Sequence, residues 1–166
     1  MQQIDSNSLL LDLSIDYLKG GSSFGALSDA AIKELIVKGC VYALKEGDTL
    51  FEAGDPGDSF FIVLKGCLTY FRQVNGLREH IRDYYFGEEI GFVSLIALTE
   101  RLGTAYANSD SLVLEISSDL FYALHCEMPL DFGVLMMNLS RELARRFITT
   151  SALLVKLKAE EHAPPR

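Results

Sequence analysis

Between residues 8 and 18 apolar side chains recur at helical spacing, and Gly20-Gly21-Ser22-Ser23 then interrupts the run. That pattern predicts a short leading helix followed by a flexible joint. Ser28-Asp29 opens a second helical periodicity, which runs through Ile36 and stops before Gly39, with Ser28 as its N-cap. From Cys40 to Ser117 the texture changes. Short runs of Val, Ile, Phe and Tyr alternate with turn signals at Gly47-Asp48, Gly54-Asp55-Pro56-Gly57, Gly66, Asn75-Gly76, Gly87, Gly91 and Gly103. Turns at such close intervals predict an antiparallel roll or barrel. Asn75-Gly76 is the clearest hairpin, because a two-residue type I′ turn needs positive φ at both central positions. It is expected to pair residues 68–74 with 77–85.

Past Ser118, read as an N-cap, the chain turns helical again. Met136, Leu139, Leu143, Phe147, Thr150, Leu154 and Leu157 fall on one stripe of a helix running from about Pro129 to Lys158. At 1.5 Å per residue such a helix extends ~45 Å, longer than the roll beneath it. A second copy of the helix would cover the surplus, which predicts a homodimer; a helix folded back on its own domain is the alternative. The expected organisation is thus an N-terminal helix and joint (1–23), a β-roll with flanking helices (24–128) and a long dimerisation helix (129–166).

Composition narrows the partners. A chain of 166 residues, 49% hydrophobic, is long enough for one domain with a full core. The net charge of −8 repels a phosphate backbone unless basic residues gather on one face. Only Arg141, Arg145 and Arg146 cluster, which reads as a solvated helix face or a source of intrahelical pairs. Cys40, Cys67 and Cys126 are odd in number and widely spaced, which fits a reduced, cytoplasmic protein. No apolar run reaches the ~18 residues of a membrane span.

The stretch from Gly54-Asp55-Pro56-Gly57 through Phe60-Phe61-Ile62-Val63-Leu64 to Gly66 joins a tight turn to a continuous apolar strand and closes it with glycine. It resembles the turn-strand-glycine signature of the cyclic-nucleotide-binding family, within the catabolite-activator and oxygen-regulator superfamily. The resemblance continues in Lys45–Phe51, in Gly87–Ala107 and in the helix carrying Leu143-Ala144-Arg145-Arg146-Phe147. It implies a mainly β fold with flanking helices: a double-stranded β-helix, or jelly-roll-like β-roll, followed by a long C-terminal helix. It also implies a phosphate-binding cassette, in which a helix start and an arginine hold the cyclic phosphate. Laid on that cassette, Gly91, Val93 and Ser94 fall at the helix start, Arg101 on the phosphate arginine, Leu102 after it, and Thr104 shortly beyond.

One position departs from the family. Phe92 stands where nucleotide-binding members carry a glutamate that accepts from the ribose 2′-hydroxyl. Burying that hydroxyl unpartnered costs about 1 to 3 kcal/mol, or roughly ten- to a hundredfold in affinity. A second register puts Glu88 on the ribose glutamate, but it lies thirteen residues before Arg101 instead of nine. In the preferred register Glu88 and Glu89 are a solvated pair, with Glu89 as a substitute that reaches inward. Thr150-Ser151 matches the hydroxyl pair that, in bacterial catabolite activators, bonds adenine from both subunits. A carbonyl four residues back in the same helix is an equal partner for such hydroxyls.

Gly-Glu-Glu-Ile-Gly-Phe (87–92) is also similar to the oxygen-sensing branch, which uses an N-terminal cysteine cluster for an iron–sulfur centre. No cysteine precedes Cys40, and three scattered thiols cannot supply four ligands. His80, His125 and His162 are isolated, so haem is unsupported. No nucleophile elbow, Walker loop or H-E-x-x-H occurs, so an enzyme is not expected. The helix-turn-helix that follows the long helix in the superfamily's transcription factors has no counterpart before Arg166, so DNA binding by these residues is not expected. The functional expectation is a regulatory sensor with cyclic AMP, cyclic GMP or another small anion as effector. Its alternative is a degenerate roll, with Phe92 plugging the pocket, kept as an interaction scaffold.

Overall fold

The computed structural model describes residues 1–5, 9 and 13–161. Nine strands lie among them: β1 (Gln2–Ile4), β2 (Cys40–Leu44), β3 (Thr49–Phe51), β4 (Ser59–Lys65), β5 (Leu68–Val74), β6 (Leu77–Tyr84), β7 (Glu89–Ile90), β8 (Thr104–Ala107) and β9 (Ser111–Ser117). The helices are α1 (Ile15–Lys19), α2 (Asp29–Lys38), α3 (Phe92–Ala97), α4 (Ser118–Glu127) and α5 (Pro129–Glu161). The strands form two antiparallel sheets, ordered β1-β2-β9-β4-β7 and β3-β8-β5-β6. The β-roll and its long C-terminal helix are therefore as expected.

β4 explains why its sequence is a continuous apolar run. Alternate side chains point to opposite faces of a strand. Phe61 and Val63 join Leu44, Phe51, Leu68, Tyr84 and Val113 inside the roll. Phe60, Ile62 and Leu64 join Ile32, Leu35 and Ile36 of α2, Leu120 of α4 and Leu135 and Leu139 of α5 in a second core outside it. Both faces of the strand are buried, so neither alternates with polar residues. The hairpin has the predicted two-residue turn, with φ of 52° at Asn75 and 81° at Gly76, and Val74 pairs with Leu77.

Three local expectations change. The leading helix was expected over residues 8–18; residues 8 and 10–12 lie outside the described ones, and α1 occupies Ile15–Lys19. The first residues instead form β1, which pairs with β2 and covers what would be a sheet edge. The glycine pair expected to be a flexible joint is a close contact. A Cβ on Gly21 would sit 2.7 Å from the Gly87 Cα, and Ser23 N donates to the Gly87 carbonyl at 2.9 Å. The α4 cap is Ser117, one residue earlier than read, its Oγ accepting from Leu120 N at 3.2 Å.

α5 is 33 residues long, and its stripe divides in two. Leu139 is buried, and Met136 and Leu143 pack against the outer core, whereas Phe147, Leu154 and Leu157 are exposed. Gly87 has φ +79°, and a Cβ there would meet the Gly21 Cα at 2.2 Å. Gly87→Ala is accordingly expected to lower stability by about 2 kcal/mol or more in a denaturant melt.

Candidate functional site

A hollow of about 770 Å³ lies between the four-stranded sheet, the cassette around α3 and the C-terminal half of α5. Strand alternation presents Tyr70 and Arg72 from β5, and His80, Arg82 and Tyr84 from β6, to this space. The cassette adds Gly91, Val93, Ser94 and Leu102. Arg145, Arg146, Thr149, Thr150 and Leu153 close it from α5, beside the carboxylate of Glu142. Four guanidiniums thus face one carboxylate in a chain whose net charge is −8.

Arg101 is not among the lining residues. Its side chain is only 4% exposed, with Nη1 donating to the Ser59 carbonyl at 2.7 Å and the Gly91 carbonyl at 3.1 Å, and Nη2 to Ser59 Oγ at 2.9 Å. The guanidinium carbon lies 4.6 Å from the centre of the Phe51 ring and 5.7 Å from that of Phe61. Burial pulls its pKa down from the ordinary value, and Asp58, Glu115 and Asp55 oppose that pull. These three carboxylates and Arg101 line a separate hollow of about 250 Å³. The backbone is fixed as well: Arg101 N donates to the Asp55 carbonyl at 2.8 Å, and Gly54 N to the Arg101 carbonyl at 2.9 Å. Gly91, at φ +91°, admits the guanidinium, since a Cβ there would stand 2.5 Å from Nη1.

A ladder of ion pairs joins the roll to α5. Glu142 stands 3.0 Å from Arg82 Nη1 and 3.2 Å from Arg146 Nε, and Arg82 also pairs with Glu88. Burial pulls the Glu142 carboxyl up, but Arg82 and Arg146 together hold it below the usual range. Arg146 Nη2 is 2.7 Å from Glu89 Oε1, yet its N–H is directed at the Glu89 carbonyl oxygen, 2.9 Å away. The Glu89 carboxylate is buried, with Arg146 and the Phe92 backbone amide as the groups that favour its charge. Burial drives this carboxyl up to about 7, against the pull of Arg146.

The family model of the cyclic nucleotide-binding domain matches residues 42–126, just over half of the chain. The chain belongs to that family. It is similar to a lysophospholipase NTE1 of Mycosarcoma maydis, 33% identical over 69% of this chain and 6% of that protein. The chain thus spans less than a tenth of the length of that relative. Among solved structures, a cyclic nucleotide-binding domain from Methylobacillus flagellatus superposes with a TM-score of 0.79 at 21% identity, covering 93% of this chain and 88% of the other. The catabolite activator protein of Thermus thermophilus gives 0.73 at 26% identity, covering 85% and 65%. Among the described residues no helix is long and apolar enough to cross a membrane.

Within this cyclic nucleotide-binding domain the candidate residues part company. Gly91, Val93, Ser94, Leu102 and Thr150 line the large hollow; Arg101, Phe92, Thr104 and Ser151 do not. Phe92 does not plug it. A phenyl ring has no polar atom to satisfy, and this one is wholly buried in the outer core, edge-on to Phe60 at 5.4 Å and to Phe121 at 6.1 Å. Thr104 Oγ1 accepts from Ala53 N at 3.2 Å. Thr149, not Thr150, donates to the carbonyl four residues back, Arg145 O, at 3.0 Å. Glu88, read as solvated, pairs with Arg82; Glu89 takes the inward alternative, buried beside Arg146. Sequence reasoning missed Arg72, Arg82, Arg145 and Arg146 as lining groups; period-two alternation on β5 and β6 and the Glu142–Arg146 spacing were the available signals.

Glu89 gives a pH signature. Unfolded, its carboxyl ionises near the ordinary 4.5; folded, it keeps its proton to about 7. Its contribution to stability is therefore fully present below the unfolded value and is lost as pH rises through about 7. Glu89→Gln is expected to flatten the fall in melting temperature between about pH 5 and about pH 8, whatever its effect on the mean. An unchanged slope would show that the carboxyl titrates normally.

Proposed function

We propose that this domain is a regulatory sensor that binds a small anionic effector in the large hollow and transmits occupancy through α5. The observation that carries it is the concentration of Arg72, Arg82, Arg145 and Arg146 around one hollow in an acidic chain. Guanidiniums against an apolar wall favour an anion with a hydrophobic body. Cyclic AMP and cyclic GMP are the effectors the family suggests. Against a tight fit of either stand the missing ribose acceptor at Phe92 and an Arg101 already committed to protein acceptors. The esterase character of the NTE1 relative concerns a far longer protein; here the roll is read as its regulatory kind of module, doing no chemistry.

The exposed end of α5 supports self-association. Phe147, Ile148, Leu154 and Val155 are 74%, 68%, 53% and 69% exposed, on a helix that continues beyond the outer core. A second copy, packing helix to helix, would cover them. Ser151, one residue past a hollow-lining threonine, would then face that copy.

A calorimetric panel of cyclic AMP, cyclic GMP and anilinonaphthalene sulfonate tests the sensor. At least one is expected to bind once per chain, more weakly as salt is raised; no saturable binding by any of them would leave a scaffold. Sedimentation tests the dimer. The chain is expected to sediment as a dimer at high micromolar concentration, and a doubly substituted Phe147→Glu, Leu154→Glu chain as a folded monomer. A monomeric parent would remove the dimer.

A further inference from the structure

The four guanidiniums around the large hollow are not equivalent. Arg82 is shared between Glu88 and Glu142 and lies 4.5 Å over the Tyr84 ring. Arg146 is shared between Glu89 and Glu142 and lies 5.1 Å from the same ring. Two cations are thus compensated by three carboxylates. Arg145 has only a 3.8 Å approach to Glu142, a group already taken by both others, and its side chain is 69% exposed. Arg72 is exposed and enters none of the ion pairs among the described residues; its register partner across the hairpin is Glu79. The least paired guanidiniums around the hollow are therefore Arg72 and Arg145, one on β5 and the other on α5. Between these walls lie Phe51, Tyr70, Leu102 and Leu153.

The cassette offers less. The arginine that the family resemblance assigns to the anion is occupied by the Ser59 and Gly91 oxygens and faces the smaller, acidic hollow. Freeing it would strip the buried Ser59 carbonyl and the partly buried Gly91 carbonyl of that donor, at a cost any ligand would have to exceed.

We infer that the effector is an amphipathic organic anion whose acidic group is held between Arg72 and Arg145 and whose aryl or alkyl body lies on Phe51, Tyr70, Leu102 and Leu153, with Arg101 serving as a clamp of the cassette. This rests on the sensor reading above and reverses the orientation expected for a cyclic phosphate, which would enter charge-first against α3. A carboxylate, sulfonate or phosphate satisfies the same geometry. Contact with Arg145 exists only while α5 lies against the roll, so the bound anion fastens the helix to β5.

The test is a fluorescence titration of the full chain with anilinonaphthalene sulfonate. N-phenylnaphthylamine, the same rings without the acid, is the neutral control, and cyclic AMP the competitor. Arg72→Glu and Arg145→Glu are each expected to weaken the sulfonate about tenfold or more and the neutral amine by less than about threefold. Arg101→Lys is expected to leave the sulfonate within about twofold while lowering the melting temperature. Both charge reversals lie on exposed side chains, so they remain informative if the Arg101 variant fails to fold. Sulfonate affinity equal to that of the amine, or unaffected by both reversals, overturns the inference. So does binding of sulfonate or cyclic AMP that is lost on Arg101→Lys alone; that result puts the anion on the cassette and leaves the sensor standing. Failure of every anion to bind removes both.

Discussion

The cassette is held in place by one buried cation. Taking a guanidinium out of water is costly unless its donors are met, and here three hydrogen bonds to Ser59 and Gly91 and two aromatic faces meet most of that cost. Nε is left without a partner, so the compensation is incomplete. A local feature follows from accommodating this group. Residue 91 must lack a side chain, or its Cβ would collide with Nη1. Independently of the guanidinium, residue 57 must lack one too, because a Cβ there would stand 2.0 Å from the Thr99 carbonyl oxygen of the cassette. The Gly54–Gly57 turn, β4 and the cassette thus form one unit whose parts cannot move independently.

Because that arginine is spent on structure, the electrostatics of the large hollow come from elsewhere. They come from β5 and β6, which contribute alternate side chains, and from α5, which contributes successive turns. Glu142 is central, since Arg82 of the roll and Arg146 of the helix both reach it. Such a shared carboxylate couples the helix position to the sheet. Glu89 sets the limit of that coupling: it sits 1% exposed under Arg146, and outward movement of the helix would remove the cation that favours its ionised form.

Much of the fold was legible in the residues. The punctuation by Gly, Asp and Pro located the strands, Asn75-Gly76 fixed a hairpin register, and the 3.6-residue periodicities found α2 and α5. The site was legible only in part, and for a physical reason. Position 101 was identified from its place in a motif, but which way a guanidinium turns depends on the acceptors around it. Ser59, 42 positions earlier, decides that. Likewise Gly21 reads as flexible because glycine is permissive along the chain, whereas its role is set by Gly87 across the fold. Arg72 and Arg145 are ordinary surface residues by sequence; only the closure of sheet against helix makes them neighbours of one space.

A ligand can shift a conformational equilibrium only by its difference in affinity between the two states. An effector gripped by the roll alone would bind equally well with α5 docked or displaced, and would transmit nothing. The Gly91, Ser94 and Leu102 wall belongs to the roll and gives no such difference. Arg145, Thr150 and Leu153 belong to the helix, so every contact to them exists only in the docked state. For an exposed guanidinium such as Arg145 a charge contact is worth about 0.2–1 kcal/mol, which corresponds to a bias of up to roughly fivefold. Such a bias adds to the Arg146–Glu89 contact, which already ties this part of the helix to the roll. The division of α5 into a first part anchored in the outer core by Leu135 and Leu139 and a later part that meets the roll only around the hollow is what makes its position available for such a bias.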